Sequence, residues 1–360
     1  MTQAEVGLAI ANRGQPRYDI EPVPDAGIED LDSAALARTL ARMRETGQAL
    51  RDVDDETVLR RIRVLVPDDD GRMVPSIAGV LTFGVFPQQF FPQLTLSVTV
   101  YPAGEGGGTE GPRFEDNPVI RGAVPDLVAE TLSVLRRNMR IRAYVNGTGR
   151  REQPDYPPEA VREAIVNAVL HRDYSPVTRG TQIQVELHPN RLVVRSPGSL
   201  YGPVREEDLG TEGVSSSRNA FLASLLADTY LPRSERLVAE NRASGIPNMI
   251  RALREAGLGR PIFTNHPSRF EVQFDRSVLP VQASGSAVLE WADPPGSTRD
   301  VVVQELRRLG RANAAHLVTV VGRSRPVVLK ALRNLIAEGA VKAEGEPRSP
   351  HRTYRWVAGD

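Results

Sequence analysis

The stretch PPEAVREAIVNAVLHRDY, residues 157–174, constrains this chain more than any other. A proline in a first helical turn loses only a backbone donor that had no partner, so Pro157 and Pro158 open a helix, and Glu159 suits its positive N-terminal end. Val161, Ala164, Ile165, Ala168 and Val169 recur at spacings of three and four, which gives that helix an apolar stripe for a core. Glu163, Asn167 and His171 are each four apart, so a carboxylate, an amide and an imidazole lie along one edge. A solvated helix face with one incidental histidine has the same spacing, and the rest of the chain has to decide between the two.

The order Glu-x-x-x-Asn-x-x-x-His resembles the N box of the GHKL-type ATP-binding fold of gyrase, histidine kinases and MutL. That resemblance implies that Asn167 holds Mg²⁺ on the phosphates of ATP and that Glu163 activates water as a general base. An amide oxygen beside phosphates suits a cation that takes oxygen ligands and keeps its waters. The longer string EAIVNAVLHRDY is similar to the signature of the RecG-related ATP-binding proteins, often joined to an AlbA-type (Schlafen-like) DNA-binding domain. That domain usually precedes this point and is missing here, as in a short form or a fragment, so none of its DNA-binding residues carries over.

Three later segments extend the resemblance to roughly residues 30–275. Ser196-Pro197-Gly198-Ser199-Leu200 stands where GHKL proteins have an Asp-x-Gly-x-Gly box and the RecG-related branch has Asn/Ser-Pro-Gly-Gly-Leu. It keeps Pro197 and Gly198, lacks the aspartate that accepts from the adenine amino group, and has Ser199 for the second glycine, so adenine selectivity is less secure than nucleotide binding. Ser217-Arg218-Asn219 matches the family's Ser-Arg-Asn-Pro with Ala220 in place of proline. Residues 240–246 resemble a glycine box at a helix start, where backbone N–H groups meet phosphate; Ser244 and Gly245 are kept and Ala243 replaces the other glycine. The resemblance implies a nucleotide site made of Asn167, His171, Pro197, Gly198, Arg218, Asn219, Ser244 and Gly245.

Elsewhere the pattern reads in chain order. Residues 1–30 carry Pro16, Pro22, Pro24 and Gly27 without a period and form an irregular leader. Helices follow at LDSAALARTLARMRETG and DDETVLRRIRVL, then the dense apolar run VPSIAGVLTFGVFPQQFFP, which resembles a family segment and reads as core, and the alternating strand LTLSVTVY. GEGGGTEG is followed by neither a lysine nor a helix start, so it is no phosphate loop. A long helix is predicted over 117–142, with Arg136, Arg137, Arg140 and Arg142 gathered at its negative end, then a charged loop. TQIQVELHP and RLVVRSPG pair as strands about a Pro189-Asn190 turn.

Beyond a Pro- and Gly-punctuated linker at 276–297, helices are predicted over 301–309, 312–321 and 324–338, with two short strands in AVKAEG and HRTYRWV. This resembles a winged helix-turn-helix. Residues 297–360 hold twelve Lys/Arg against six Asp/Glu, in a chain whose net charge is zero. Arg323, Arg325, Lys330 and Arg333 on the third helix, with Arg348 and Arg352 in the wing, form a candidate duplex DNA surface; a protein-binding winged helix is the other reading.

Composition removes several classes. The absence of cysteine excludes a disulfide scaffold, a thiol nucleophile and a Cys-ligated zinc. The only lysines are Lys330 and Lys342, neither after a glycine, so a P-loop motor is excluded. No run approaches the roughly 18 to 20 apolar residues of a membrane span, and a cytoplasmic protein without a membrane partner is expected. The expected fold is α/β: leader 1–30, a small mixed α/β region 31–145, a GHKL-like sandwich 146–275, linker 276–297 and a winged helix-turn-helix 298–360. The expected function is a nucleotide-responsive DNA-binding transcriptional regulator that takes ATP and Mg²⁺. The alternatives are a slow ATPase using Glu163 and a degenerate scaffold for protein interaction; homo-oligomerisation is left open.

Overall fold

The computed structural model describes residues 16–102, 113–146, 149–211, 216–239, 245–276, 298–321, 325–346, 349 and 352–357. Helix α1 (Ser33–Thr46) starts where the Asp32 carboxylate accepts the N–H groups of Ala34 and Ala35 at 2.9 and 3.0 Å, and α2 (Asp55–Arg61) where Asp54 accepts that of Thr57 at 2.8 Å. Such oxygens satisfy donors that have no partner within the helix. A hairpin of β1 (Leu65–Pro67) and β2 (Met73–Pro75) leads into α3 (Ile77–Phe83), which is buried at every residue. The described part of the leader is irregular yet belongs to the core, with Val23, Ala26 and Leu31 buried. Asp19, 1 % exposed, accepts the N–H groups of Phe221 and Leu222 at 2.9 and 3.2 Å and so caps a helix 202 residues further on.

The central sheet has six strands in the order β4-β3-β7-β8-β10-β9, all neighbours antiparallel except β3 and β7. These are β3 (Leu96–Val100), β4 (Val119–Ile120), β7 (Ile183–Leu187), β8 (Arg191–Pro197), β9 (Ile262–Asn265) and β10 (Arg269–Asp275). Val98, Val185, Val194 and Val272 stand directly opposite one another across four strands, a buried row that fixes the register. The periodicity predicts one helix over 117–142. The structure instead forms the short edge strand β4 and then α4 (Val124–Asn138), whose start is set by Pro125 in its first turn. Arg140 and Arg142 lie beyond it, at the entry to a hairpin of β5 (Ile141–Asn146) and β6 (Gly149–Pro154) where a loop is predicted. Strand β6 lacks apolar alternation, and in β5 the alternation of Ile141, Ala143 and Val145 is short and begins inside the stretch that the helical period claims.

Helix α5 (Pro158–Leu170) packs on β8 and between α4 and α7 (Gly245–Glu255), while α6 (Ala220–Asp228) packs on α3. A second hydrophobic core, of Val302, Leu306, Leu317, Val328, Leu332 and Leu335, lies in the C-terminal residues. It joins α8 (Thr298–Leu309), α9 (Ala314–Val321) and α10 (Arg325–Ala337) to a three-stranded antiparallel sheet of β11 (Arg311–Asn313), β12 (Val341–Glu344) and β13 (Thr353–Trp356), in the order β11-β13-β12. The pattern predicts the second helix from Ala312. Residues 311–313 pair with β13 instead, and the Asn313 side chain accepts the His316 N–H at 2.8 Å to start the helix. Ile262 packs against this second core from the central sheet. Among the described residues no helix is long and apolar enough to cross a membrane.

Candidate functional site

A cavity of about 230 Å³ opens where α5, the end of β8 and the start of α7 meet. Burial of Val161, Ala164, Ile165, Ala168 and Val169 turns Glu163, Asn167 and His171 towards it, and all three line it. Ser196 Oγ donates to the Ala168 carbonyl at 2.6 Å and ties the end of β8 to the helix. From there Gly198, Ser199, Leu200 and Tyr201 form the second wall, and Gly245, Ile246 and Pro247 in the first turn of α7 form the third. The remaining wall is largely apolar, with Val194, Leu209, Phe270 and Val272.

The polar groups converge closely. A Cβ on Gly245 would stand 2.9 Å from Glu163 Oε2 and 3.3 Å from Asn167 Nδ2, so a side chain there would press on the ends of both. Glu163 Oε1 accepts from Arg162 Nη2 at 2.6 Å in a pair whose side chains are 3 and 8 % exposed. On the lining residues Asn167 and Ser217, Nδ2 and Oγ are buried and make no hydrogen bond among the described residues. His171 opens in part on the cavity, yet the protein packed around it lowers its pKa to about 4, with the Arg218 charge a smaller cause, so the imidazole is neutral near pH 7.

The other residues singled out in the sequence lie elsewhere. Pro197, Arg218 and Asn219 stand behind the wall. Arg218, 1 % exposed, pairs with Asp173 at 3.4 Å and donates to the Ser199 carbonyl at 2.7 Å, which holds the turn. Asn219 donates to the carbonyls of Leu170 and Arg172, both at 2.7 Å, and so fixes the exit from α5. Ser244, with Ala243, lies outside the described residues.

The last residues of the HRDY string divide the same way. Arg172 donates to the Thr178 and Thr181 carbonyls, Asp173 holds Arg218, and Tyr174 donates to the Val169 carbonyl at 3.0 Å. Only His171 of the four lines the cavity. Arg162, Asp173, Ser196 and Asp19 have structural roles that the sequence reading passes over. Neighbours i and i+1 on a helix diverge, and the other contacts are distant in sequence.

At the C-terminal end Arg325, Lys330 and Arg333 are exposed on α10, a helix with no acidic residue. Arg352 is half-buried with its guanidinium 5.9 Å from the Tyr354 ring, and Arg355 pairs with Glu344 at 2.9 Å. Arg323 and Arg348 lie outside the described residues.

Comparison with known proteins adds an independent line. Residues 180–274 match the family described as "Putative ATP-dependent DNA helicase recG C-terminal", and residues 8–97 match a domain of unknown function. The first match indicates an ATPase-like domain. It takes in β7, β8, α6, α7 and β9, with Gly198 and Gly245, and stops short of α5 on the N-terminal side. No curated protein matches the chain. Among solved structures, the DIP2311 protein from Corynebacterium diphtheriae is 20 % identical with a TM-score of 0.53, over 99 % of this chain and 67 % of that one. At that identity the likeness concerns the fold alone.

Proposed function

We propose that the cavity binds a nucleotide, ATP by preference, with Mg²⁺, and that the chain is a nucleotide-responsive DNA-binding regulator. The observation that carries this is a pair of buried polar groups without a partner among the described residues, Asn167 Nδ2 and Ser217 Oγ, on residues that line the cavity together with the first turn of α7. A buried polar group without a partner costs about 1–3 kcal/mol, and a bound polar ligand removes that cost. A helix N-terminus offers N–H groups and a favourable field to phosphate, and the apolar wall suits a base.

The donor set fits a magnesium nucleotide. Among the described residues no cluster of three or more His, Asp or Glu could hold a metal ion by itself, so the cation would be carried largely by phosphate and water. When bound, Mg²⁺ neutralises phosphate charge. On the protein side, the Asn167 amide would supply an oxygen towards it, Gly245 would let the backbone approach, and neutral His171 would leave the charge balance unchanged. We place this nucleotide-binding unit, a GHKL-like sandwich, at residues 146–275.

The C-terminal order α8-β11-α9-α10-β12-β13 supports a winged-helix reading, in which α10 would take the recognition position. Exposed Arg325, Lys330 and Arg333 on an acid-free helix support duplex DNA over a protein partner. One observation favours the enzyme reading: Glu163 lines the cavity, where its carboxylate would act as a base. Ser199 in place of the family's glycine supports slow turnover or binding alone.

The test is calorimetric titration of the full chain with ATP, ADP and GTP, with and without Mg²⁺. Mg-dependent binding of ATP, weakened at least about tenfold by Asn167→Ala with the fold intact, is expected. Equal affinity in both proteins, or binding in neither, would leave the scaffold reading.

A further inference from the structure

We infer that Arg162 is a positioning residue for Glu163: its guanidinium compensates and orients the carboxylate so that an anionic ligand can enter the cavity beside it. The inference rests on the reading of the cavity as a site for nucleotide phosphates. The guanidinium is itself anchored, since Nη1 donates to the Val238 carbonyl at 3.1 Å while Nη2 donates to Glu163 Oε1 at 2.6 Å. Both side chains are almost fully withdrawn from solvent.

The two side chains leave the helix in different directions. Adjacent helical residues point about 100° apart, and Arg162 accordingly does not line the nucleotide cavity. It lines, together with Glu163, a second and more open cleft of about 430 Å³ that includes Pro157 and Asn248. Glu163 is therefore the wall between the two spaces. Its Oε1 turns to the guanidinium, and its Oε2 turns to the cavity near Gly245.

A carboxylate in that position faces two demands. As an ion beside phosphates it repels the ligand, and the repulsion grows where water is scarce. As a neutral acid it can no longer accept a proton or order a water by its charge. A guanidinium resolves both, because it stays protonated at any accessible pH and cancels the charge without giving up a proton. Its second hydrogen bond, to Val238, keeps it from following the ligand into the cavity.

A purely structural clamp on Val238 would also make Arg162 important, and a charge cycle separates the two roles. Mg-ATP affinity of the full chain would be measured by calorimetry between pH 5.5 and 8 for wild type, Arg162→Met, Arg162→Lys, Glu163→Gln and the double variant Arg162→Met/Glu163→Gln. Arg162→Met is expected to weaken binding about a hundredfold near pH 7, the scale of a broken buried ion pair. The loss should shrink as pH falls, because a buried carboxylate with less positive charge beside it takes up a proton more readily. Glu163→Gln removes the repelling charge and leaves the guanidinium, so it should bind Mg-ATP at least as tightly as wild type, and the double variant should return to within about threefold of wild type, since both charges are then gone. Arg162→Lys, which keeps the charge, should show no such pH dependence.

A double variant as weak as Arg162→Met, or an Arg162→Met protein that binds normally, overturns the inference. If Arg162→Met does not fold, the double variant and Arg162→Lys still decide it. Failure of both wild type and Glu163→Gln to bind Mg-ATP overturns the nucleotide reading and this inference with it, whereas normal binding by both without rescue overturns the inference alone.

Discussion

Gly198→Ala tests whether the turn at the end of β8 is as tightly determined as its geometry indicates. Gly198 has a φ of +101°, and a Cβ added there would stand 2.7 Å from the Asp173 Cβ and 3.2 Å from its backbone nitrogen. Holding a residue with a Cβ at such a φ costs about 1–2 kcal/mol. Carbon atoms prefer a separation of about 3.5–4.0 Å, so Asp173 would have to withdraw by roughly 1 Å. It is not free to do so. Its N–H donates to the Pro197 carbonyl at 2.9 Å, its Oδ1 accepts from Ser175 at 2.9 Å, and its Oδ2 faces Arg218 at 3.4 Å. Overpacking a site held on several sides adds about 1–3 kcal/mol, so a total loss of about 2–5 kcal/mol is expected. Urea unfolding followed by circular dichroism at pH 7 would read it as a lower midpoint at unchanged slope. Because Arg218 also holds the Ser199 carbonyl, Mg-ATP affinity of the folded variant should fall as well. A stability change under about 0.5 kcal/mol would refute the reasoning, for the turn would then relax at no cost.

The lowered pKa of His171 means that the unfolded chain takes up a proton that the folded chain refuses, so the histidine's contribution is lost as pH falls from 6.5 towards about 4. Urea midpoints of wild type and His171→Gln should therefore diverge over that range, with the variant less acid-sensitive, and parallel curves would count against a lowered imidazole pKa. For the C-terminal surface, Arg325→Ala/Arg333→Ala should weaken duplex DNA binding and flatten the dependence of log affinity on log salt by about two if each arginine neutralises one phosphate. Arg355→Ala, whose guanidinium is already paired with Glu344, should change the slope less. Absence of binding at low salt, or binding retained after deletion of residues 297–360, would return this unit to protein interaction.

Much of the architecture is legible in the chain because local chemistry and the tertiary context agree. The apolar stripe from Val161 to Val169 predicts the helix, and the same burial turns Glu163, Asn167 and His171 into one cavity. The alternation in 183–187 predicts a strand that is found, with the following strand across the 189–190 turn. The errors fall where the signal is weak. Strand β6 and the strand at 311–313 carry no apolar alternation, and that of Ile141, Ala143 and Val145 in β5 is cut into by the preceding helical period, so a helix or loop reading wins until their partners are known.

What the sequence determined by itself is therefore the set of residues sharing a helix edge or a strand face, because those relations repeat every 3.6 or two residues. The tertiary structure alone decided which of them meet a ligand-sized space and which support it. Arg218 and Asn219 lie within three residues of cavity-lining Ser216 and Ser217, yet they point into the core and brace Asp173 and the exit of α5. Arg162 lies beside Glu163 in sequence, leaves the helix in a different direction and still reaches it, and Asp19 caps a helix that starts two hundred positions later. No periodicity encodes such contacts, since they depend on how separate elements pack and on where a buried charge or N–H group finds its partner.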